Sequence, residues 1–115
     1  MINSYDNTIL YLDYFINEII NNIEKKNSKT IIIYLSDHGE LLGENGLWLH
    51  AQPGKHSENP AMLIWYSESF KKEHSNYVKQ LKLKRNKKTD LDFFFPTIID
   101  LFKIKGIEYD KSKKL

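Results

Sequence analysis

The residues of this chain best suited to chemistry lie close together in its middle. Asp37, His38 and Glu40 fall within a run of five residues, Ser-Asp-His-Gly-Glu, and His50 follows twelve residues after His38. A carboxylate oxygen and an imidazole nitrogen are both ligands that zinc accepts, so Asp37 and His38 form a candidate metal-binding pair. Glu40 is placed to contact a ligating histidine or a substrate. The pattern therefore indicates metal or phosphate chemistry.

The alternative is that this motif is an ordinary turn. Asp-His-Gly also occurs where the aspartate only caps a loop and the histidine is half exposed. Two features favour a site: a strand directly precedes the motif, and two further histidines, His50 and His56, follow in the same connection. For His56 itself, a solvated loop position is the better interpretation.

Two short apolar runs are predicted to position this region. Thr30 to Leu35 and Pro60 to Tyr66 are rich in β-branched and aromatic residues, and their continuous apolarity is typical of strands buried on both faces, as in a parallel sheet. The connection between them, Ser36 to Asn59, shows no sustained period and is longer than usual loops. In open α/β sheets, ligands gather just beyond the carboxyl ends of strands, which is where the motif lies.

Helices are predicted on either side of these strands. Ser4 is the expected N-cap of the first helix, Ser67 to Leu83 is a weakly amphipathic helix, and Asp92 to Ile104 is a helix that Gly106 terminates. The order of elements gives the α/β class, with a sheet flanked by helices. The predicted buried faces are Ile9, Leu12, Ile16, Ile19, Ile20 and Ile23 in the first helix, and Phe93, Phe94, Ile98, Leu101 and Phe102 in the last.

Composition sets the remaining bounds. A chain of 115 residues allows one domain, residues 1–115, and the absence of cysteine excludes disulfides and thiolate metal sites. No run is long enough to span a bilayer, and the first residues do not resemble a signal peptide. Lys79 to Lys88 holds six basic residues, but 17 basic against 15 acidic residues gives a net charge of only +2. A solvated helix end explains the run, and no nucleic-acid partner is expected.

The chain resembles a known family over nearly its whole length. Tyr34 to His50 (Tyr-Leu-Ser-Asp-His-Gly-Glu-Leu-Leu-Gly-Glu-Asn-Gly-Leu-Trp-Leu-His) is similar to the zinc-binding segment of phosphoethanolamine transferases, which belong to the alkaline phosphatase/sulfatase superfamily. Tyr5 to Phe15, Pro60 to Trp65 and Asp92 to Phe102 resemble the family's preceding helix, following strand and late helix, in the same order. The implied fold is part of an alkaline phosphatase/sulfatase-like sheet flanked by helices.

The resemblance implies a role for each residue of the motif. Asp37 and His38 match the family's pair of zinc ligands, His50 matches the histidine that faces the transferred phosphate or a second zinc ion, and Glu40 matches a polar residue beside the metal. The implied catalytic residues are therefore His50 and Glu40, and the implied cofactor is Zn²⁺. In this family a threonine takes phosphoethanolamine from a phospholipid and passes it to lipid A or another cell-envelope glycan.

The match to the family is partial. The family's nucleophilic threonine, a glutamate ligand, a further histidine and its membrane helices lie upstream of the matched region, and Thr8 and Thr30 are not at plausible nucleophile positions. We therefore expect the C-terminal part of a larger enzyme of the bacterial inner membrane, facing the periplasm, whose missing N-terminal portion is its partner. Two alternatives stay open: a non-catalytic module from a truncated or split gene, and a sulfatase or phosphoglycerol transferase relative.

Overall fold

The structure is a computed structural model that describes residues 2–50 and 53–115. It divides into two compact units, Met1–Glu73 and His74–Leu115. Among the described residues, every strand belongs to the first unit, whereas the second is built from helices and helical turns. A single domain over residues 1–115 stays a prediction.

The first unit begins with a long helix, α1, which spans Ile2–Lys25. Ser4 lies inside its first turn, so the prediction of Ser4 as N-cap is wrong; periodicity marks the helical face but does not fix the residue at which the helix begins. None of its described residues is buried. On the predicted face, Leu12, Ile16, Ile20 and Ile23 are half-buried, while Ile9 and Ile19 stay exposed.

The two predicted strands are confirmed as β1 (Ile31–Leu35) and β4 (Met62–Tyr66), which pair with each other. The pair is antiparallel, with Ile33 opposite Ile64, and not parallel as the continuous apolar runs suggested. Continuous apolarity reports that both faces of a strand are suited to burial, and it carries no information on strand direction.

The connection between these strands is more regular than predicted. It contains a small hairpin of β2 (Leu41–Leu42) and β3 (Trp48–Leu49), in which Leu41 pairs with Leu49. A 3₁₀ turn, Glu44–Gly46, joins the two strands. Strands of two residues are too short to produce a recognisable period in the sequence.

The helix predicted over Ser67 to Leu83 is two helices. The first is α2 (Glu68–Glu73), which ends the first unit, and the second is α3 (Ser75–Lys84). The backbone of His74 between them is not helical, with φ −114° and ψ 39°. The weak amphipathicity of the stretch did not reveal this interruption.

The second unit has a small core around α4, which spans Phe94–Leu101 after a 3₁₀ turn, Leu91–Phe93. The helix ends at Leu101, so the prediction that it extends to Ile104 and is terminated by Gly106 is wrong. Phe94 and Phe102, expected to be buried, are exposed. The buried face of this segment begins at Phe93 in the 3₁₀ turn and continues with Pro96 and Thr97, three and four residues later. The buried residues of this unit are Val78, Phe93, Pro96, Thr97 and Ile99.

Hydrogen bonds and an ion pair hold the C-terminal residues in place. The Leu115 backbone N–H donates to Thr97 Oγ1 at 2.9 Å, and Lys114 Nζ lies 2.9 Å from Asp100 Oδ1. Asp110 caps a last 3₁₀ turn by accepting from the Ser112 N–H. The contacts of Leu115 and Lys114 connect the end of the chain to α4.

Candidate metal centre

The β2–β3 hairpin brings Glu40 and His50 together. Leu41 pairs with Leu49, so the residues that flank this pair, Glu40 and His50, lie next to each other, and His50 Nδ1 is 3.3 Å from Glu40 Oε1. Backbone amides, that of Glu44 itself and then that of Leu42, hydrogen-bond the Glu44 carboxylate and hold its pKa below the ordinary value. Glu44 therefore stays ionised and fixes the turn of the hairpin.

The backbone at Leu49 has an unusual conformation just before His50. Its φ is +67°, in the left-handed region that a bulky side chain rarely adopts. Such strain is found where surrounding structure imposes a particular direction on the chain, often at functional sites. Here it occurs at the last residue of β3, directly before His50.

His38 completes a cluster of three. One potential ligand atom from each of His38, Glu40 and His50 lies within 4.8 Å of the others. The two imidazole rings stack with centroids 4.7 Å apart and planes inclined by 28°. His38 Nδ1 lies 3.0 Å from the Gly39 carbonyl oxygen, which can only accept, so this nitrogen donates and Nε2 keeps its lone pair for a metal.

The donor set of the cluster fits zinc. Two imidazole nitrogens and a carboxylate oxygen are ligand types common at zinc sites with an open position. Glu40 supports this fit, because its Oε2 atom is buried and has no hydrogen-bond partner within the described part of the chain. A buried carboxylate oxygen without a partner is costly, and a cation would satisfy it.

Asp37, predicted as a metal ligand, is not part of this cluster. Its side chain is 86% exposed, and its Oδ1 accepts a hydrogen bond from the His38 backbone N–H. Its Oδ2 lies 3.7 Å from His38 Nε2, the nitrogen with the available lone pair. Asp37 as a ligand therefore stays a prediction.

Gly39 fastens the motif to a second part of the loop. Its backbone N–H donates to the Ser57 carbonyl oxygen at 2.9 Å. A Cβ at this position would collide with the His56 carbonyl oxygen, so the close approach of the two backbones requires glycine. His56 itself is exposed and lies outside the three-residue cluster, consistent with a loop residue.

The sequence indicates the residues of this site but not their grouping. Glu40 is predicted to lie beside the metal, whereas the structure places it among the three potential ligands. The signal that could have found this is the ten-residue span from Glu40 to His50, which contains the turn residues Gly43, Asn45 and Gly46 expected of a hairpin.

Comparison with known proteins defines the class to which this fold and site belong. The sulfatase family model matches residues 1–104, so the chain belongs to the sulfatase family. Within that family, the chain is similar to several phosphoethanolamine transferases. Phosphoethanolamine transferase EptA of Escherichia coli K12 is 37% identical over 110 residues, which cover 88% of this chain. The Kdo(2)-lipid A phosphoethanolamine 7''-transferase of the same strain is 34% identical over 89 residues, 74% of this chain.

A solved structure gives the same result. The soluble domain of lipooligosaccharide phosphoethanolamine transferase A from Neisseria meningitidis superposes with a TM-score of 0.83 at 33% identity, covering 99% of this chain and 36% of that one. The predicted membership of this family and the predicted α/β fold class are thus confirmed. The chain spans about a fifth of the length of the EptA protein and less of the 7''-transferase (20% and 15%). No helix among the described residues is long and apolar enough to cross a membrane.

Proposed function

We propose that this chain forms part of the zinc site of a phosphoethanolamine transferase that modifies lipid A or another cell-envelope glycan. The observation that carries the proposal is the convergence of His38, Glu40 and His50, together with the buried Oε2 of Glu40, which has no hydrogen-bond partner among the described residues. The substrate class comes from the relatives, which are named as transferases of phosphoethanolamine, one of them to Kdo(2)-lipid A. A phospholipid donor and the periplasmic face of the bacterial inner membrane complete the proposal.

Each residue has a distinct task in this proposal. His38 offers Nε2 to the metal, while the Gly39 carbonyl holds its ring in the required tautomer. The Glu40 carboxylate orients His50 through Oε1 and is available to the metal through Oε2. Asp37 is the proposed additional ligand. Zinc, when bound, would stabilise negative charge on phosphoryl oxygens and lower the pKa of an attacking hydroxyl.

The attacking hydroxyl is not assigned to a threonine of this region. Thr8 lies in α1 and donates to the Tyr5 carbonyl oxygen, and Thr30 lies before β1, where its hydroxyl is hydrogen-bonded to that of Ser28. Neither belongs to the cluster of His38, Glu40 and His50. We therefore propose that the nucleophile comes from the remaining part of the catalytic domain, and that these 115 residues by themselves bind zinc but do not turn over substrate.

Metal binding is the first test. We expect calorimetric titration with Zn²⁺ to give one site. Its affinity should be lower than that of a complete zinc site, because the three or four ligands that this chain offers do not enclose the ion. His38→Ala and Glu40→Gln should each weaken binding by at least about tenfold, since each removes a ligand. His56→Ala is the matched control and should bind as the unchanged chain does. Equal affinity of the His38→Ala and His56→Ala variants would contradict the assignment.

The transfer reaction is tested in a longer protein. In E. coli EptA, the segment that this chain matches is replaced by the corresponding residues of this chain, and the lipid A of a strain without its own transferase is analysed by mass spectrometry. We expect addition of phosphoethanolamine, abolished by His38→Ala or His50→Ala and kept by His56→Ala. Addition of phosphoglycerol, or loss of a sulfate ester, would instead support the other branches of the superfamily.

A further inference from the structure

The positive charge of this chain is concentrated in its second unit, His74–Leu115. That unit holds 11 lysine and arginine residues against five aspartate and glutamate residues, which gives a formal charge of +6. The first unit has six basic against ten acidic residues, a formal charge of −4, so the two values give the net charge of +2 of the whole chain. Such an asymmetry is typical of a chain whose basic part contacts an anion.

A cavity of about 280 Å³ lies between the end of α3 and the last residues of the chain. Five lysines contribute to its lining. Lys84, Lys87 and Lys88 lie at and just beyond the helix end, whereas Lys113 and Lys114 come from a segment that begins about 25 positions later. Lys84 Nζ donates to the Lys114 carbonyl oxygen at 2.9 Å and so connects the two segments. The fold thus collects cations that are far apart in the sequence.

Two of the five lysines are neutralised by carboxylates. Lys113 Nζ lies 2.7 Å from Asp92 Oδ2, and Lys114 Nζ lies 2.9 Å from Asp100 Oδ1. Asp92 belongs to the 3₁₀ turn before α4 and Asp100 to α4 itself, so these pairs hold the C-terminal segment against that helix. They build one wall of the cavity but leave little charge for a ligand.

The other three lysines keep an unneutralised charge. Lys84 donates to a carbonyl oxygen, which carries no formal charge, and the side chains of Lys87 and Lys88 have no hydrogen-bond or ion-pair partner among the described residues. Asp90 and the C-terminal residue Leu115, which bear one carboxylate each, also line the cavity. Three unneutralised ammonium groups thus outnumber two carboxylates, and the cavity stays positive.

The size and the charge of the cavity define the ligand. Pockets for drug-sized molecules measure about 300–1,000 Å³, so a cavity of about 280 Å³ suits a single small group. Lysine ammonium groups bind phosphate as point charges, and a dianion attracts them more strongly than a carboxylate of single charge. We propose that this cavity binds one phosphate monoester group. The inference does not rest on the proposed function, because the lining residues all belong to the second unit.

Titration with inorganic phosphate tests the site. Phosphate is added to the 115-residue chain in the presence of a metal chelator, at about pH 8, where it is mostly a dianion, and backbone amide shifts are followed by NMR. We expect saturable shifts at residues 84–90 and 111–114. Lys87→Gln/Lys88→Gln should weaken binding at least about tenfold, since it removes two of the three unneutralised charges.

The matched control is Lys79→Gln/Lys82→Gln. It removes two exposed lysines from the same basic run and the same helix, but neither lines the cavity, so phosphate binding should change by no more than about twofold in 0.1 M KCl. Equal weakening in the two double variants would show that binding follows net charge and would overturn the proposal. Shifts of the unchanged chain that are confined to residues outside the cavity would overturn it as well, whatever the variants do.

A second arm separates a free phosphate ester from a lipid headgroup. Vesicles of phosphatidylcholine with and without phosphatidic acid present the same monoester at a bilayer surface, and co-sedimentation measures binding. Binding of inorganic phosphate supports a site for a free ester, and binding to the phosphatidic acid vesicles alone supports a site for a headgroup, provided that Lys87→Gln/Lys88→Gln abolishes it. No binding in either arm, or equal affinity for phosphate and acetate, overturns the proposal.

Discussion

The two units of this protein are stabilised in different ways. In the second unit, side chains pack into a small closed core around Phe93 and Thr97, which are 2% and 1% exposed. In the first unit, the long helix contributes no described buried residue, and the candidate site is held mainly by backbone contacts, the hairpin pairing and the bond from Gly39 to Ser57. The candidate site therefore lies in the unit whose core is less complete.

Removing the centre of the helical core should have the largest effect. We expect Phe93→Ala to lower the free energy of unfolding by about 3–5 kcal/mol, because it leaves a cavity in a tightly packed site. Phe95→Ala is the control, since Phe95 is 55% exposed, and should cost far less. Urea denaturation of both variants measures the difference. Similar losses would show that the second unit is not held by this core.

Blocking the close backbone approach in the first unit should have the next largest effect. Gly39→Ala introduces a methyl group against the His56 carbonyl oxygen, and we expect a loss of about 2–3 kcal/mol together with weaker zinc binding. Gly54→Ala lies in the same loop, where a Cβ would make only ordinary contacts, 3.8 Å from Leu41 Cδ2 and 3.9 Å from Ser57 Oγ, and should leave zinc binding unchanged. If Gly39→Ala binds zinc normally, backbone contacts do not hold the site.

The two strand pairs of the first unit differ in how well the sequence predicts them. The strands β1 and β4 were predicted because each is a continuous apolar run of adequate length. The hairpin was not, because β2 and β3 have two residues each and the turn conformation at Asn45 depends on local backbone energetics.

The candidate site, too, could be predicted from the sequence only in part. His38 and His50 could be identified from residue type and spacing, because these histidines follow a predicted strand. The grouping of Glu40 with them depends on pairing register, and the role of Gly39 depends on contact with residues 17 and 18 positions away, His56 and Ser57. Contacts of that kind are not encoded in a local pattern. The boundary of α4 was missed for a related reason, since the 3₁₀ turn before it shifts the buried phase.

In the second unit, one substitution should increase the free energy of unfolding, by less than the two preceding substitutions lower it. The hydroxyl of Tyr77 is buried without a hydrogen-bond partner among the described residues, and burial, with a contribution from Asp100, raises the pKa of Tyr77 to about 12. Removing the hydroxyl with Tyr77→Phe should stabilise the protein by about 1 kcal/mol.

The pH dependence follows from the same raised pKa. Burial disfavours the ionised phenolate, so the pKa of Tyr77 is higher in the folded chain than in the unfolded chain. The free energy of unfolding is therefore unaffected by this group below pH 10 and decreases as the pH rises from 10 towards 12. Alkaline unfolding should therefore be less steep for Tyr77→Phe than for the unchanged chain over this range. Equal profiles would contradict the burial of this group.

The smallest effect concerns an ion pair near the C-terminus. A hydrogen bond from Lys114 is the main cause of the lowered pKa of Asp100, and Tyr109 also donates to this carboxylate. The stabilisation is present above the ordinary pKa of 3.8 and is lost as the pH falls below it. Because the pair is partly exposed, Asp100→Asn should cost less than about 1 kcal/mol at pH 7 and nothing at pH 2. Acid titration followed by circular dichroism measures this difference.

The hairpin that joins Glu40 to His50 has a consequence for the order of folding. Only ten positions separate these two residues, and the strands between them close over a short turn, so the contact needs little loop-closure entropy and can form within microseconds. The β1–β4 pair closes a much longer loop, 27 positions from Leu35 to Met62, and must form more slowly. We therefore expect two of the three potential ligands, Glu40 and His50, to come together before the sheet that carries the site forms.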